Sequence, residues 1–216
     1  MKIHRSHRGL PHWHREDASA IYWVTFRLAD SLPKEKTDAF NREKEKFLAQ
    51  HPLPWDEETL QIYEQEFNAR IEAWLDAGYG TCILKDPKIR KELIDTLEYF
   101  DGERHDIISA VIMPNHVHLL LRPRIGTLPE ILKGIKGVSA RRINKLTRQT
   151  GERLWMEESY DRMVRSKEEL YALQDYVRSN PVRLPKGSYW LKENEVRFEL
   201  RSDPLADVLY AVDLEK

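Results

Sequence analysis

The chain has 216 residues, 41% apolar and 33% charged, with a formal net charge of −1. That supports one core under a charge-rich surface, hence one domain with an insertion, or one domain plus a small extra element. No apolar run reaches the ~18 residues of a transmembrane helix, no apolar stretch behind the N-terminal charges marks a secretory signal, and the single cysteine, Cys82, allows no intrachain disulfide. A reducing, cytoplasmic location is the expectation.

The neutral total hides segregation. Residues 132–148 carry Lys133, Lys136, Arg141, Arg142, Lys145 and Arg148 and no acid, a local +6. Residues 34–76 have a local balance of −5 and residues 193–216 one of −4. A basic face can therefore exist on a protein with almost no net charge.

In chain order, residues 1–17 are basic and rich in histidine, either an arm laid on phosphates or a poorly ordered terminus. Residues 20–28 (AIYWVTFRL) read as a buried strand. Two helices follow, 37–50 and 57–77, separated by His51-Pro52-Leu53-Pro54. In the second, Leu60, Tyr63, Phe67, Ile71 and Trp74 recur at helical spacing, so the pair reads as an acidic helical hairpin suited to packing or to a partner. Gly78-Tyr79-Gly80 is a turn, and Pro87 opens a helix that runs to about Phe100. Residues 105–113 and 116–122 form a strand pair joined by the tight turn Pro114-Asn115. The basic helix spans 128–150, with Gly134 and Gly137 explained by close approach of a backbone or a phosphate. Residues 160–165 form a short strand with Arg162 and Arg165, and Ser166 caps a helix over 167–179 that ends at Asn180-Pro181. The rest is an acidic tail without periodicity. The fold class is α+β: a ferredoxin-like split β-α-β-β-α-β core with an antiparallel sheet, plus the inserted acidic helical hairpin.

Chemistry concentrates in Asn115-His116-Val117-His118. Residues i and i+2 of a strand share a face, so both imidazoles point one way and make half a shell for a divalent metal. A bare pair of this kind also occurs as packing histidines. A histidine-triad hydrolase would need a third histidine at position 120, where Leu120 stands. Tyr176 and Asn180 lie four apart on one helix face, while Tyr171 is turned away. Two histidines, an amide and a phenol following a basic helix suggest metal-assisted attack on a phosphodiester.

These residues resemble the single-strand tyrosine transposases that carry a His-hydrophobe-His motif, and most closely the REP-associated tyrosine transposases. The resemblance is carried in order by Val24-Thr25-Phe26-Arg27-Leu28-Ala29-Asp30, Met113-Pro114-Asn115-His116-Val117-His118, Lys136-Gly137, Ile143-Asn144, Gly151 with Trp155, Tyr160-Asp161-Arg162 with Arg165, and Tyr176 with Asn180-Pro181-Val182. It spans about residues 8–184 and departs from the family pattern at Met156 and over 183–187. The resemblance implies that His116, His118 and Asn180 bind Mg²⁺ or Mn²⁺ and that Tyr176 becomes 5′-linked to single-stranded hairpin DNA. Residues 1–184 would then be a transposase-like catalytic domain interrupted by the insertion 33–78, with 185–216 as tail. Lys133, Lys136, Arg141, Arg142, Lys145, Arg148, Arg162 and Arg165 would hold DNA. The alternative is a catalytically silent, domesticated protein that binds single-stranded hairpin DNA. Relatives occur as monomers and as dimers that exchange the tyrosine helix, so a homodimer is one expectation.

Overall fold

The computed structural model describes residues 20–52 and 55–194, together with the short strand pairs His4–Arg5 with Pro11–His12 and Phe198–Leu200 with Leu209–Ala211. The reading of 1–17 as an arm on phosphates, and most of the acidic tail, lie outside the described residues. Tyr22–Arg27 (β1), rich in β-branched and aromatic residues, leads into Lys34–Gln50 (α1) and Glu57–Tyr63 (α2). A π-helical turn, Glu64–Asn68, then joins α2 to Ala69–Asp76 (α3). Pro87–Glu98 (α4) precedes the strand pair His105–Ile112 (β2) and His116–Pro123 (β3). Leu128–Thr147 (α5), Tyr160–Met163 (β4), Lys167–Ser179 (α6) and Trp190–Glu193 (β5) complete the order. The sheet is antiparallel throughout and runs β4-β1-β3-β2-β5. The expected α+β class with an antiparallel sheet is the observed one.

Alternation along the strands divides the interior in two. On one face Tyr22, Val24, Phe26, Val117, Leu119 and Leu121 pack with Leu93 and Leu97 of α4 and with Leu128, Leu132, Ile135 and Ile143 of α5. On the other, Ile21, Trp23, Val111, Met113 and Leu120 pack with Leu170 and Val177 of α6. The insertion has an aromatic cluster of its own, Phe40, Phe47, Tyr63 and Phe67, with Trp55, Ile71 and Trp74 against it.

Local chemistry explains the helix starts. Asp86 accepts from the Lys88 N–H ahead of Pro87, and Ser166 Oγ accepts from the Glu169 N–H. Thr127 and Glu130 form a full capping box that fixes the start of α5. α5 stops at Thr147, three residues short of the expected end, because Arg148 turns left-handed at φ 61°. A Cβ at Gly134 or Gly137 would meet nothing within 4 Å, so no close protein backbone explains those glycines. Strand β5, in a stretch without periodicity, pairs with β2. Among the described residues no helix is long and apolar enough to cross a membrane.

The insertion is tied back to the sheet at Gly80. Its φ is +85°, and a Cβ there would lie 2.4 Å from the carbonyl oxygen of Asp30, whereas Gly78, at φ +71°, faces open space. Gly78→Ala should cost about 1–2 kcal/mol, the left-handed penalty alone. Gly80→Ala should cost roughly 1–3 kcal/mol more, because the backbone of residue 30 must move. Urea unfolding of the two variants checks this, and equal losses would contradict it.

Candidate active site

The register of β1 on β3 sets Arg27 opposite His116, Thr25 opposite His118 and Trp23 opposite Leu120. Opposed residues share a face, so these side chains all lie on the α6 side. Both imidazoles are fully buried. Asn115, in the turn before β3, orients the first. Its Nδ2 donates to the carbonyls of Leu75 and Tyr79, each at 3.1 Å, which turns its Oδ1 toward His116 Nδ1 at 2.7 Å. An amide oxygen only accepts, so Nδ1 carries the proton and Nε2 keeps its lone pair. His118 Nδ1 lies 2.9 Å from Thr25 Oγ1, and that hydroxyl donates to Glu72 Oε1 at 3.5 Å. A hydroxyl that donates to the carboxylate accepts from Nδ1–H, which leaves the His118 Nε2 lone pair free as well.

The two Nε2 atoms thus face each other at 3.0 Å, and Glu72 Oε2 is 3.3 Å from that of His118. Glu72 comes from α3 of the insertion. The same oxygen accepts from the Tyr176 hydroxyl at 3.1 Å. Trp23 stacks on His118 at 5.0 Å between centroids, and Tyr176 stands edge-on to both rings. The tyrosine helix packs on its own sheet, so one chain completes the cluster. Three ligand atoms, one each from Glu72, His116 and His118, lie within 4.8 Å of one another and could hold a metal ion.

Burial sets the protonation states. It lowers the His118 pKa to about 3 and holds that of His116 well below its usual value, with the neighbouring ring adding to the effect. Both are therefore neutral, the form that ligates metals, and the His118–Glu72 contact is not an ion pair. Burial raises Glu72 to about 7 against the hydrogen bonds from Tyr176 and Thr25. It also raises the Tyr176 phenol, helped by the charges of Glu72 and Asp76, while Asn180 pulls the other way. Asn180 Oδ1 is buried without a hydrogen-bond partner. Beside Thr25 and Glu72 opens a cavity of about 110 Å³, also lined by Arg27, Asn41, Lys44 and Tyr160.

The sequence-derived residues thus fall into two groups. His116, His118, Tyr176 and Asn180 come together on one sheet face. Lys133, Lys136, Arg141, Arg142, Lys145 and Arg148 ride on α5 and its C-terminal cap, in the layer behind the opposite face. Two of these are engaged: Lys136 donates to the Glu157 carbonyl and Ser159, and Arg142 lies 3.5 Å from Glu92. Arg162 sits opposite Trp23, on the tyrosine side, and pairs with Glu169, while Arg165 is exposed. Tyr171 is exposed and capped by Lys167. Sequence reasoning missed Glu72. The available signal was a carboxylate beside the apolar stripe, three residues before the buried Leu75.

Residues 79–180 match the family described as "Transposase IS200 like". Over 51 residues the chain is 41% identical to the ISDra2 transposase TnpA of Deinococcus radiodurans, covering 23% of this chain and 36% of that protein. The chain thus spans about a third of the length of that curated relative. A solved REP-associated tyrosine transposase bound to a REP hairpin overlays with a TM-score of 0.44 at 12% identity, covering 85% of this chain and 74% of that one. Over residues 79–180, which hold both imidazoles, the phenol and Asn180, the chain is similar to the IS200-like transposases.

Proposed function

We propose that this protein is a metal-dependent DNA strand transferase of the REP-associated tyrosine transposase kind, acting on single-stranded hairpin DNA. The observation that carries the reading is the Tyr176 hydroxyl beside three converging acceptors, two imidazole nitrogens and a carboxylate oxygen. Mixed imidazole and oxygen donors suit Mn²⁺ and accept Mg²⁺, and the unpartnered Oδ1 of Asn180 offers a further oxygen. When bound, such an ion supplies Lewis-acid polarisation of the phosphoryl oxygen. His116 and His118 would hold it; Trp23 and Thr25 keep the second ring in place.

The chain's own residues do the rest. The Tyr176 oxygen attacks the scissile phosphorus and its proton passes to water, while the Glu72 carboxylate that accepts its hydrogen bond orients the hydroxyl. The P–O3′ bond breaks, the 3′ oxygen leaves and takes a proton from water, and the 5′ phosphate stays joined to Tyr176. Because a phosphodiester is exchanged for a phosphotyrosine, the bond energy is retained. A free 3′ hydroxyl then attacks the phosphotyrosine, reseals the strand and returns the proton to the phenol. The sequence resemblance supports hairpin DNA as the substrate. Lys133, Arg141, Lys145 and Arg148 are exposed, and no ion pair is found for them among the described residues. They suit contacts to phosphates distant from the cleaved one.

Incubation with a labelled single-stranded hairpin and Mg²⁺ or Mn²⁺ should give a covalent protein–DNA adduct. Tyr176→Phe, His116→Ala, His118→Ala and chelation of the metal should each abolish it on a denaturing gel. An adduct that survives Tyr176→Phe rejects the assignment of the nucleophile. The basic helix is tested separately by binding against salt. The double variant Lys133→Ala/Lys145→Ala should flatten the log–log slope by about 0.7 for each single-strand phosphate that is no longer neutralised, leaving cleavage of saturated DNA unchanged. An unaltered slope removes α5 from the interface.

A further inference from the structure

We propose that the inserted helical hairpin is part of the active centre, and that its Glu72 is the third protein ligand of the divalent ion as well as the group that positions the Tyr176 hydroxyl. This rests on the reading of His116, His118 and Tyr176 given above and deepens it.

The argument is one of unbalanced charge. Glu72 lies under the sheet face, and its polar neighbours are His118, Tyr176 and Thr25. No lysine or arginine pairs with it among the described residues. A carboxylate three-quarters withdrawn from water, as Glu72 is with 24% of its side chain exposed, is stabilised by a positive charge that meets it. Asn115 and Thr25 occupy the Nδ1 sides of the two rings, so both Nε2 lone pairs point inward toward Glu72. Three acceptors around one point call for a cation, and two imidazoles with one carboxylate form a common protein donor set for a divalent metal.

The placement is also enforced. Asn115, which sets the tautomer of His116, donates to the carbonyls of Leu75 and Tyr79. Those carbonyls bracket the end of α3, one turn beyond Glu72. The amide that frees the lone pair of the first histidine therefore also holds the helix that brings the carboxylate. Leu75, three residues on along the same helix side, is 1% exposed, and Gly80 meets the Asp30 backbone. A solvated acid on an insertion would need none of this.

The experiment is a Mn²⁺ titration of the whole chain without DNA, followed by electron paramagnetic resonance of free Mn²⁺, with melting curves in EDTA and in Mn²⁺. The wild-type chain should bind one Mn²⁺ and melt higher with it. Glu72→Gln preserves shape and one of the two accepting oxygens but not charge. It should weaken Mn²⁺ roughly tenfold to a hundredfold, lose the metal-induced rise in melting temperature, and melt in EDTA no lower than wild type, since an unpaired charge has been removed. Binding of Mn²⁺ by Glu72→Gln as tight as wild type overturns the assignment of Glu72, as does a lower melting temperature in EDTA, which marks a purely structural role. His118→Ala separates the two levels. If it loses Mn²⁺ while Glu72→Gln does not, only the present inference falls. If the wild type binds no Mn²⁺, or His118→Ala binds it unchanged, the metal site itself is rejected.

Discussion

The structure around the histidine pair depends on one side-chain amide. Asn115 uses both of its hydrogen-bonding faces: Nδ2 donates to two carbonyls at the end of the insertion and Oδ1 accepts from His116. Its backbone carbonyl accepts in turn from the Leu28 N–H at the end of β1. A carboxylate in its place would lack the donors, and an apolar residue would lack both. The turn between β2 and β3 thereby fixes a tautomer, a strand end and an inserted helix together. Buried hydrogen bonds of this kind are individually modest, about 1 kcal/mol each, but unmaking them strands several polar groups inside the protein.

The two faces of the sheet carry different burdens. The α4 and α5 side is apolar at nearly every position and supplies cohesion. The α6 side mixes Leu120, Val111 and Val177 with two imidazoles, an indole and a phenol. Burying neutral imidazole costs little compared with burying its cation, and the same burial leaves the rings in the form that can ligate a metal. Rigidity comes from the apolar partners. Val177, next to Tyr176, is fully buried, and the Ser166 cap fixes where the helix begins. At about 1.5 Å per residue, that cap sets how far along the sheet the phenol stands.

Much of this was readable from the chain. The strand pair around Pro114-Asn115, the tyrosine helix from Ser166 to Asn180 and the first strand follow from alternation, breakers and a cap, all local effects. That Tyr176 would meet His118 was an expectation from the order of elements and from family resemblance. What escaped was non-local. Strand β5 gains its structure from pairing with β2 and has no pattern of its own. Glu72 escaped because α3 is covered from two sides. Ile71 and Trp74 join the aromatic cluster, while Glu72 and Leu75 turn to the sheet and the turn that follows β2. The π turn at Glu64–Asn68 adds to this, since its wider winding shifts the face presented by α3 away from that of α2. A single stripe drawn at 3.6 residues per turn assigns such a helix one buried side.

The separation of charge also bears on how DNA can approach. Leu128, Leu132, Ile135 and Ile143 turn the apolar side of α5 to the sheet, so its exposed cations Lys133, Arg141, Lys145 and Arg148 lie on the far side from the imidazoles, whereas Lys136 reaches round to Ser159. Packed layers are spaced by about 10 Å, which puts those cations beyond the ~8 Å Debye length of physiological salt. They can grip phosphates but cannot neutralise the cluster. Around the cluster itself stand Glu72 and Asp76, on an insertion whose local balance is −5. A phosphodiester brought there meets like charge unless a cation intervenes. The imidazoles do not provide one, because burial has taken their protons. On the proposed function, a metal ion held by the three converging donor atoms would offset the acidic insertion at that point, beside the cations Arg27 and Lys44 that line the neighbouring cavity.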